Sequence, residues 1–291
     1  MTAAVEPTLL EAFGVYERRF ARAVVDQPPR HPLRDRGEIR GVVKRCLGIR
    51  DEWIPAMRTE VVRTTAHDGV CIQHMAGTSW PQGQAAAHLY LPTDAAGAGN
   101  PFVLLCCGHG RGCKLNPGYQ AMARHLARQG ACVLVADNIG QGERAFMGHR
   151  EPVTPFACGT SVQGLIVLEA LGWLAWARAD ERFDNARMAA AGNSGGGHLT
   201  RHLAALDDDL AALSSSGQAS TIAYTAQKER RLCHCAIVPG IVPEQEMWQQ
   251  YACFAPRPLL LFNGTNDHMF PWDLFWQAAG QVRAIYAQAR A

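Results

Sequence analysis

The sequence predicts an α/β fold in which helices flank a mostly parallel central sheet. Runs that are apolar on consecutive residues, as strands buried on both faces must be, recur along the chain: "PFVLLCCG", "GACVLVADN", "ARMAAAGNS", "CHCAIVPG" and "PRPLLLFNG". Helical patterns separate these runs, and right-handed crossovers between them make neighbouring strands parallel. A glycine-rich segment, "AAAGNSGGGHLT", joins one run directly to a helical pattern. Together these observations indicate the fold class.

The other elements follow in chain order. Residues 1–57 mix charged and apolar residues at helical spacing, which predicts an N-terminal helical extension before a main domain over residues 58–291. Short runs with strand character predict antiparallel lead-in strands: "EVVRTT", "VCIQHMAG" and "AAAHLYLP". Helices are expected over "NPGYQAMARHLARQG" and, capped by Ser161, over "SVQGLIVLEALGWLAWARA".

The composition argues against several kinds of partner. Lys and Arg total 28 against 26 Asp and Glu, a net charge of +2, so no strong field would attract nucleic acid or an anionic membrane. No apolar stretch reaches the roughly 20 residues of a membrane span, and the N-terminus lacks a signal-peptide pattern. The 10 cysteines are scattered, several of them inside apolar runs, which favours free thiols in a reducing compartment. We therefore expect a cytoplasmic protein that acts on a small molecule.

One segment, "LCHCAIV", places Cys233, His234 and Cys235 together. A zinc site usually shows a C-x-x-C pair or a second clustered pair of ligands, and the sequence has neither. We therefore interpret this segment as a buried strand and expect no metal and no other cofactor.

The glycine-rich junction carries the main functional signal. Gly192 to Gly196 read G-x-S-x-G between a strand and a helix, the pattern of a turn that projects the Ser194 hydroxyl as a nucleophile. Glycine-rich turns also bind phosphates, but the segment has neither the Lys-Ser/Thr pair of a P-loop nor G-x-G-x-x-G. The backbone N–H of Gly195, at the start of the helix, is then the natural donor to a developing oxyanion.

Further site residues are expected at the ends of other strands. In "LLCCGHGRGC", the N–H of Gly110 or Arg111 would be the second oxyanion donor, unless this is an ordinary glycine turn. Asp267 follows a later strand and is the expected acid, unless it only stabilises its own turn. Trp248 and Tyr251 would line a substrate pocket, although their spacing also fits a helix packed on the core.

Taken together, these residues resemble the α/β-hydrolase superfamily, and in particular its dienelactone-hydrolase-like and acetyl-xylan-esterase-like branch. The resemblance covers about residues 60–285 and rests on four segments: "GHG" after a strand, "ACVLVADNIGQGER", "DERFDNARMAAAGNSGGG" and "FAPRPLLLFNGTNDHMFP". It implies a serine esterase that cleaves a small acyl ester or a lactone, with Ser194 as nucleophile and Asp267 orienting a histidine base.

The chain departs from that pattern at its C-terminal end. In the family, the histidine follows one further strand after the acid. Here no histidine follows His268, and the sequence after it shows one helical pattern and no further strand pattern. The domain is therefore expected to be C-terminally incomplete, and His268, His109 and His198 are the candidate substitute bases. Two other functions stay open: a non-catalytic assembly protein, for example a homodimer that covers an exposed sheet edge, or a lyase, decarboxylase or C–C hydrolase that uses the same pocket.

Overall fold

The computed structural model describes residues 35–93, 95, 97–110, 112–149, 153–227 and 233–289. Its strands are β1 Arg58–His67, β2 Val70–Thr78, β3 Gln84–Pro92, β4 Asn100–Cys106, β5 Cys132–Ala136, β6 Phe183–Asn193, β7 Ala212–Ser216 and β8 Leu259–Phe262. Within the described residues, they form one eight-stranded sheet in the order β1-β2-β3-β5-β4-β6-β7-β8. The mostly parallel α/β fold is thus confirmed.

The first three strands form the antiparallel lead-in that the sequence predicts. β1 pairs with β2 and β2 with β3, and the turn after Thr78 brings that residue opposite Gln84. β3 then runs antiparallel to β5. The parallel part of the sheet consists of β5, β4, β6, β7 and β8, each paired with the next.

The helices are α1 Arg36–Leu47, α2 Pro117–Arg128, α3 Val153–Ala157, α4 Val162–Arg178, α5 Gly195–Leu206, α6 Ile222–Gln227, α7 Met247–Ala252 and α8 Trp272–Ala289. Successive strand residues contribute to two different core clusters, so both faces of the sheet are covered. On β4, for example, Leu104 packs with residues of α4 and α5, whereas Leu105 packs with residues of α2. The predicted cap of α4 is confirmed, because Ser161 Oγ accepts a hydrogen bond from the N–H of Gly164 at 2.9 Å.

Only part of the N-terminal extension falls within the described residues. Helix α1 begins after Asp35, whose side chain accepts a hydrogen bond from the N–H of Glu38 at 2.9 Å. Its buried residues, among them Val43 and Leu47, belong to the same core cluster as the sheet. The extension is therefore packed on the domain from Arg36 onward, and the prediction for residues 1–34 lies outside the described residues.

Two strand predictions are wrong in the second half of the sheet. The segment "CHCAIVPG" forms a short 3-10 turn, His234–Ala236, and the strand next to β6 is instead Ala212–Ser216, within a stretch that reads as a loop. The sequence did not indicate this strand because three of its residues are serines, whereas β-branched and aromatic residues are the ones enriched in strands. Ser215 is nevertheless buried, because its Oγ hydrogen-bonds to the hydroxyl of Tyr251 at 2.8 Å and donates to the carbonyl of Gly197 at 3.1 Å.

The last strand of the sheet, β8, is not buried on both faces as predicted. Leu260 is 58% exposed and Phe262 47%, so one face of β8 is largely uncovered, and within the described residues β8 is an edge strand paired with β7. Between β8 and Ala289, the described chain forms a single long helix, α8, and no further strand. Grooves of 650 and 570 Å³ border β8, and Leu260 lines both of them.

Candidate active site

The G-x-S-x-G segment forms the tight strand-to-helix turn that the sequence predicts. β6 ends at Asn193, α5 begins at Gly195, and Ser194 between them has φ 56° and ψ −116°. Such a backbone is costly for a residue with a side chain and is found mostly at functional sites. The flanking glycines permit the turn, since a Cβ on Gly192 would lie 2.4 Å from the backbone of Gly196.

The loop after β4 lies directly against the start of α5. A Cβ on Gly108 would be 2.5 Å from the carbonyl oxygen of Asn193 and 3.2 Å from the nitrogen of Gly195. Glycine at position 108 therefore allows this loop to approach the N-terminus of a 12-residue helix, where backbone N–H groups and the helix dipole favour negative charge.

The two residues expected to supply a second oxyanion donor differ in what the structure says of them. The N–H of Gly110 lies 3.3 Å from the terminal amide of Gln141, whose oxygen accepts from it in one of the amide's two orientations. Arg111 lies outside the described residues. The Gly110 and Arg111 assignments therefore stay predictions.

Tyr119, which the sequence analysis places only within a predicted helix, holds this loop in place. The hydroxyl of Tyr119, on α2, accepts a hydrogen bond from the N–H of Gly108. Burial raises the pKa of Tyr119 to about 12, so the hydroxyl stays protonated at neutral pH. The side-chain amide of Asn138 donates to the carbonyl of Cys107 at 2.8 Å and braces the loop from the other side. No local sequence signal distinguishes these two side chains from packing residues.

Asp267 lies close to the turn that carries Ser194. Its Oδ1 accepts hydrogen bonds from the N–H groups of Met269 and Phe270 at 2.7 and 3.0 Å, which is the turn-stabilising role. Its Oδ2 lies 3.8 Å from the point where a Cβ on Gly217 would stand, and the nitrogen of Ser194 lies 3.7 Å from the same point. The second carboxylate oxygen and the backbone nitrogen of Ser194 therefore both lie beside Gly217, whose φ of 58° suits glycine.

The three candidate bases lie in different surroundings. The His109 ring packs against the start of α5, with Nδ1 3.0 Å from the position of a Cβ on Gly195. His268 is exposed beside Asp267. His198 is buried within α5 with its ring 4.7 Å from that of His202, and burial holds its pKa well below the usual value.

The two aromatic residues proposed to line a substrate pocket lie on α7. Tyr251 is fully buried, and its hydroxyl bonds to Ser215, so it packs in the core as the alternative interpretation holds. Trp248 is half-buried against the same cluster, which also contains Phe275 and Val282.

A segment held by buried charges, residues 137–149, adjoins the loop after β4. Asp137 accepts a hydrogen bond from the ammonium group of Lys114 and another, at 3.0 Å, from the N–H of Glu143. The guanidinium of Arg144 forms a two-pronged ion pair with Glu169 at 2.6 and 2.9 Å. Both pairs are almost completely shielded from solvent.

The same region brings together four side chains capable of binding a metal: His109, His149, Cys233 and Cys235, whose ligand atoms all lie within 4.8 Å of one another. Hydrogen bonds with Cys235, and also with His109 and His149, lower the pKa of the Cys233 thiol. Sequence analysis considered Cys233 and Cys235 for a metal site, named His109 only as a candidate base and missed His149, because both histidines come from other parts of the chain.

Among the described residues, no helix has both the length and the hydropathy that crossing a bilayer requires.

Solved structures resemble this chain, although neither a protein-family model nor a curated protein matches it. A protein from Bacteroides fragilis NCTC 9343, whose proposed activity is that of an acetyl xylan esterase, has a TM-score of 0.76 at 15% identity, covering 99% of this chain and 83% of its own. A methylesterase has a TM-score of 0.70 at 23% identity, over 88% of this chain and 56% of its own. A CE15 glucuronoyl esterase from Teredinibacter turnerae T7901 has a TM-score of 0.63 at 16% identity, over 87% of this chain and 72% of its own.

Proposed function

Because the chain has the α/β-hydrolase fold, we propose that it hydrolyses small carboxylic esters through an acyl-enzyme on Ser194. The backbone of Ser194, at φ 56° between a strand and a helix, carries this proposal, since a sharp strand-to-helix turn of this kind is the turn that presents a nucleophilic hydroxyl. The names of the structural neighbours, which are esterases, support the same reaction class.

In the proposed reaction, Ser194 Oγ attacks the carbonyl carbon of the ester while a base accepts its proton. The N–H of Gly195 and the dipole of α5 stabilise the negative charge on the carbonyl oxygen. The base then protonates the leaving alcohol, and water hydrolyses the acyl-enzyme by the same steps in reverse order. Asp267 supports the base through its second carboxylate oxygen.

Two histidines serve this proposal as candidate bases. His268 adjoins Asp267, and His109 packs against Gly195 at the helix start. The burial of His198, together with its lowered pKa, argues against it as a group that exchanges protons with a substrate. Acetyl esters are the first substrates to test, since one neighbour is proposed to act on acetyl xylan.

Replacing Ser194 tests the proposal. Ser194→Ala should lower hydrolysis of p-nitrophenyl acetate at least about a thousand-fold, because the nucleophile is removed. A fluorophosphonate probe should label the wild-type protein at Ser194 and leave the variant unlabelled. Ser214→Ala, on the neighbouring strand β7, is the matched control and should keep full activity. Turnover that survives Ser194→Ala would contradict the acyl-enzyme and favour a lyase or decarboxylase reaction.

An assembly role is the second candidate, and one observation favours it. The edge strand β8 exposes Leu260 and Phe262, and unpaired apolar edges tend to associate with another chain. A protein without fluorophosphonate labelling that sediments as a dimer would replace the esterase proposal with this one.

A further inference from the structure

A cluster of two imidazoles and two thiols lies beside the proposed active site. It consists of His109, His149, Cys233 and Cys235, whose ligand atoms all lie within 4.8 Å of one another. We propose that this cluster, the His₂Cys₂ cluster, binds one divalent transition-metal ion of the zinc type. Imidazole nitrogen and thiolate sulfur are the ligands that a tetrahedral zinc site uses.

Three separate segments of the chain supply the four ligands. His109 is on the loop after β4, His149 follows the 3-10 turn Gly142–Met147, and the two cysteines flank His234 on another 3-10 turn. His109 and Cys235 are 126 positions apart in sequence. Tertiary structure therefore assembles the cluster, which is why neighbouring residues in sequence do not show a zinc motif.

The distances fit a tetrahedral ion after small side-chain rotations. With bonds of about 2.0 Å to nitrogen and 2.3 Å to sulfur, neighbouring ligand atoms of a tetrahedral zinc site lie roughly 3.3–3.8 Å apart. His109 Nε2 lies 2.9 Å from Cys235 Sγ, and the longest separation in the cluster is no more than 4.8 Å. The observed separations thus extend to both sides of the required value.

The orientation of His149 is set from outside the cluster. Its Nδ1 lies 2.7 Å from the carbonyl oxygen of Ile139, so Nδ1 donates a hydrogen bond there and Nε2 is the ring nitrogen left for the ion. Metal-binding histidines usually donate their second nitrogen to a carbonyl or carboxylate in this way. The terminal amide of Gln141 lies 3.1 Å from Nε2 in either of its two orientations, and this amide turns aside when the ion binds.

The segment that carries His149 is rigidly held. Gly140 has φ 72°, and a Cβ there would lie 2.2 Å from the nitrogen of His149, so the backbone passes as close as glycine permits. The buried ion pair of Arg144 with Glu169 fixes the preceding turn, and the guanidinium also donates to the carbonyl of Asp137 at 3.0 Å. A preorganised ligand of this kind loses little conformational entropy when it binds an ion.

The cluster also bears on the choice of base. When Nε2 of His109 binds the ion, Nδ1 carries the ring's remaining proton, and His109 then has no lone pair with which to act as base. The ring instead presents an N–H toward Gly195, and His268 becomes the candidate base beside Asp267. This consequence rests on the proposed function, whereas the metal site itself does not.

Metal content tests the proposal directly on the full chain, purified without chelators or a histidine tag. Mass spectrometry should find about one zinc ion per chain, and Co²⁺ should replace it and show the sulfur-to-cobalt charge-transfer absorption of a thiolate site. Cys235→Ser and His149→Ala should bind Zn²⁺ at least about 100-fold more weakly, because each loses a ligand. The matched control, Cys158→Ser, replaces an exposed cysteine outside the cluster and should bind as the wild type does.

A second measurement needs no variant and is independent of hydrolysis. Zn²⁺ should slow the reaction of Cys233 and Cys235 with a thiol reagent, as followed by peptide mapping, and should leave Cys158 unaffected. The proposal is overturned if the wild-type protein shows no charge-transfer absorption with Co²⁺, if Zn²⁺ protects no cysteine, or if Cys233 and Cys235 form a disulfide that persists under reducing conditions. Loss of esterase activity alone leaves all three readouts intact.

Discussion

The elbow around Ser194 and the 137–149 segment both lie next to His109, but different interactions hold them in place. The elbow uses glycines: a Cβ on Gly196 would lie 2.1 Å from the carbonyl oxygen of Cys106. The 137–149 segment uses buried charges, with Arg144 and Glu169 almost completely withdrawn from solvent.

This difference determines how each region fails. Closely packed backbone cannot make room for added atoms, so the elbow is sensitive to any increase in volume. A buried ion pair is sensitive to the loss of either partner, since the remaining charge keeps its desolvation cost without compensation. We therefore expect added volume to damage the elbow, and the loss of a charge partner to damage the 137–149 segment.

The largest effect is expected in the charged region. Arg144→Met keeps much of the side-chain volume but leaves Glu169 buried without its partner, and it should lower the free energy of unfolding by about 3–5 kcal/mol. Urea unfolding followed by circular dichroism measures this loss. The matched control is Arg187→Met, which breaks the solvent-accessible pair with Asp184 and should lower stability far less, because water screens that pair. Equal losses in the two variants would show that burial does not decide the strength of these pairs.

Sequence analysis predicted the elbow because its determinants are contiguous. Residues 192–196 form the whole turn. An apolar run predicts the strand before it, and helical spacing predicts the helix after it. Asp267 could be singled out from the sequence in the same way, because an acidic residue in a turn after a strand is a local pattern. In contrast, the partners of Arg144 and the ligands of the His₂Cys₂ cluster are distant in sequence, and no local pattern marks them.

Strand β7 was missed for a different reason. Its run "ALSSS" lacks the β-branched and aromatic residues that indicate a strand. The hydroxyl of Ser215 bonds to Tyr251, which lies 36 positions later, and to Gly197 on the preceding helix, so no local pattern marks its burial. The sequence analysis placed a strand at "CHCAIVPG" instead. It set the cysteines of that segment aside as metal ligands because no C-x-x-C pair and no second clustered pair of ligands lies in the sequence.

A smaller effect is expected when volume is added to the elbow. Gly196→Ala should destabilise the protein by roughly 1–3 kcal/mol, because the new Cβ meets the backbone of Cys106 and neither chain segment can move aside. Gly280→Ala provides the matched control in helix α8, where a Cβ meets nothing within 4 Å and should stabilise the helix by about 0.5–1 kcal/mol. The two substitutions are chemically identical, so opposite signs in urea unfolding would confirm close packing as the cause. A neutral Gly196→Ala variant would contradict it.

The smallest expected effect is a pH dependence of stability that comes from His88 on β3. Burial, the ring of His74 and the charge of Lys114 lower the pKa of His88 to about 4, although Glu143 and Asp137 act in the opposite sense. The unfolded chain, with a histidine pKa of about 6.5, therefore binds more protons than the folded protein between these values, and stability falls as the pH is lowered through that range. Between about pH 7.5 and pH 5.5, His88 should cost the wild-type protein about 1 kcal/mol. His88→Gln should reduce the pH dependence of urea unfolding by that amount, and His67→Gln, at an exposed position, is the matched control. Parallel curves for His88→Gln and the wild type would show that His88 does not couple protons to folding.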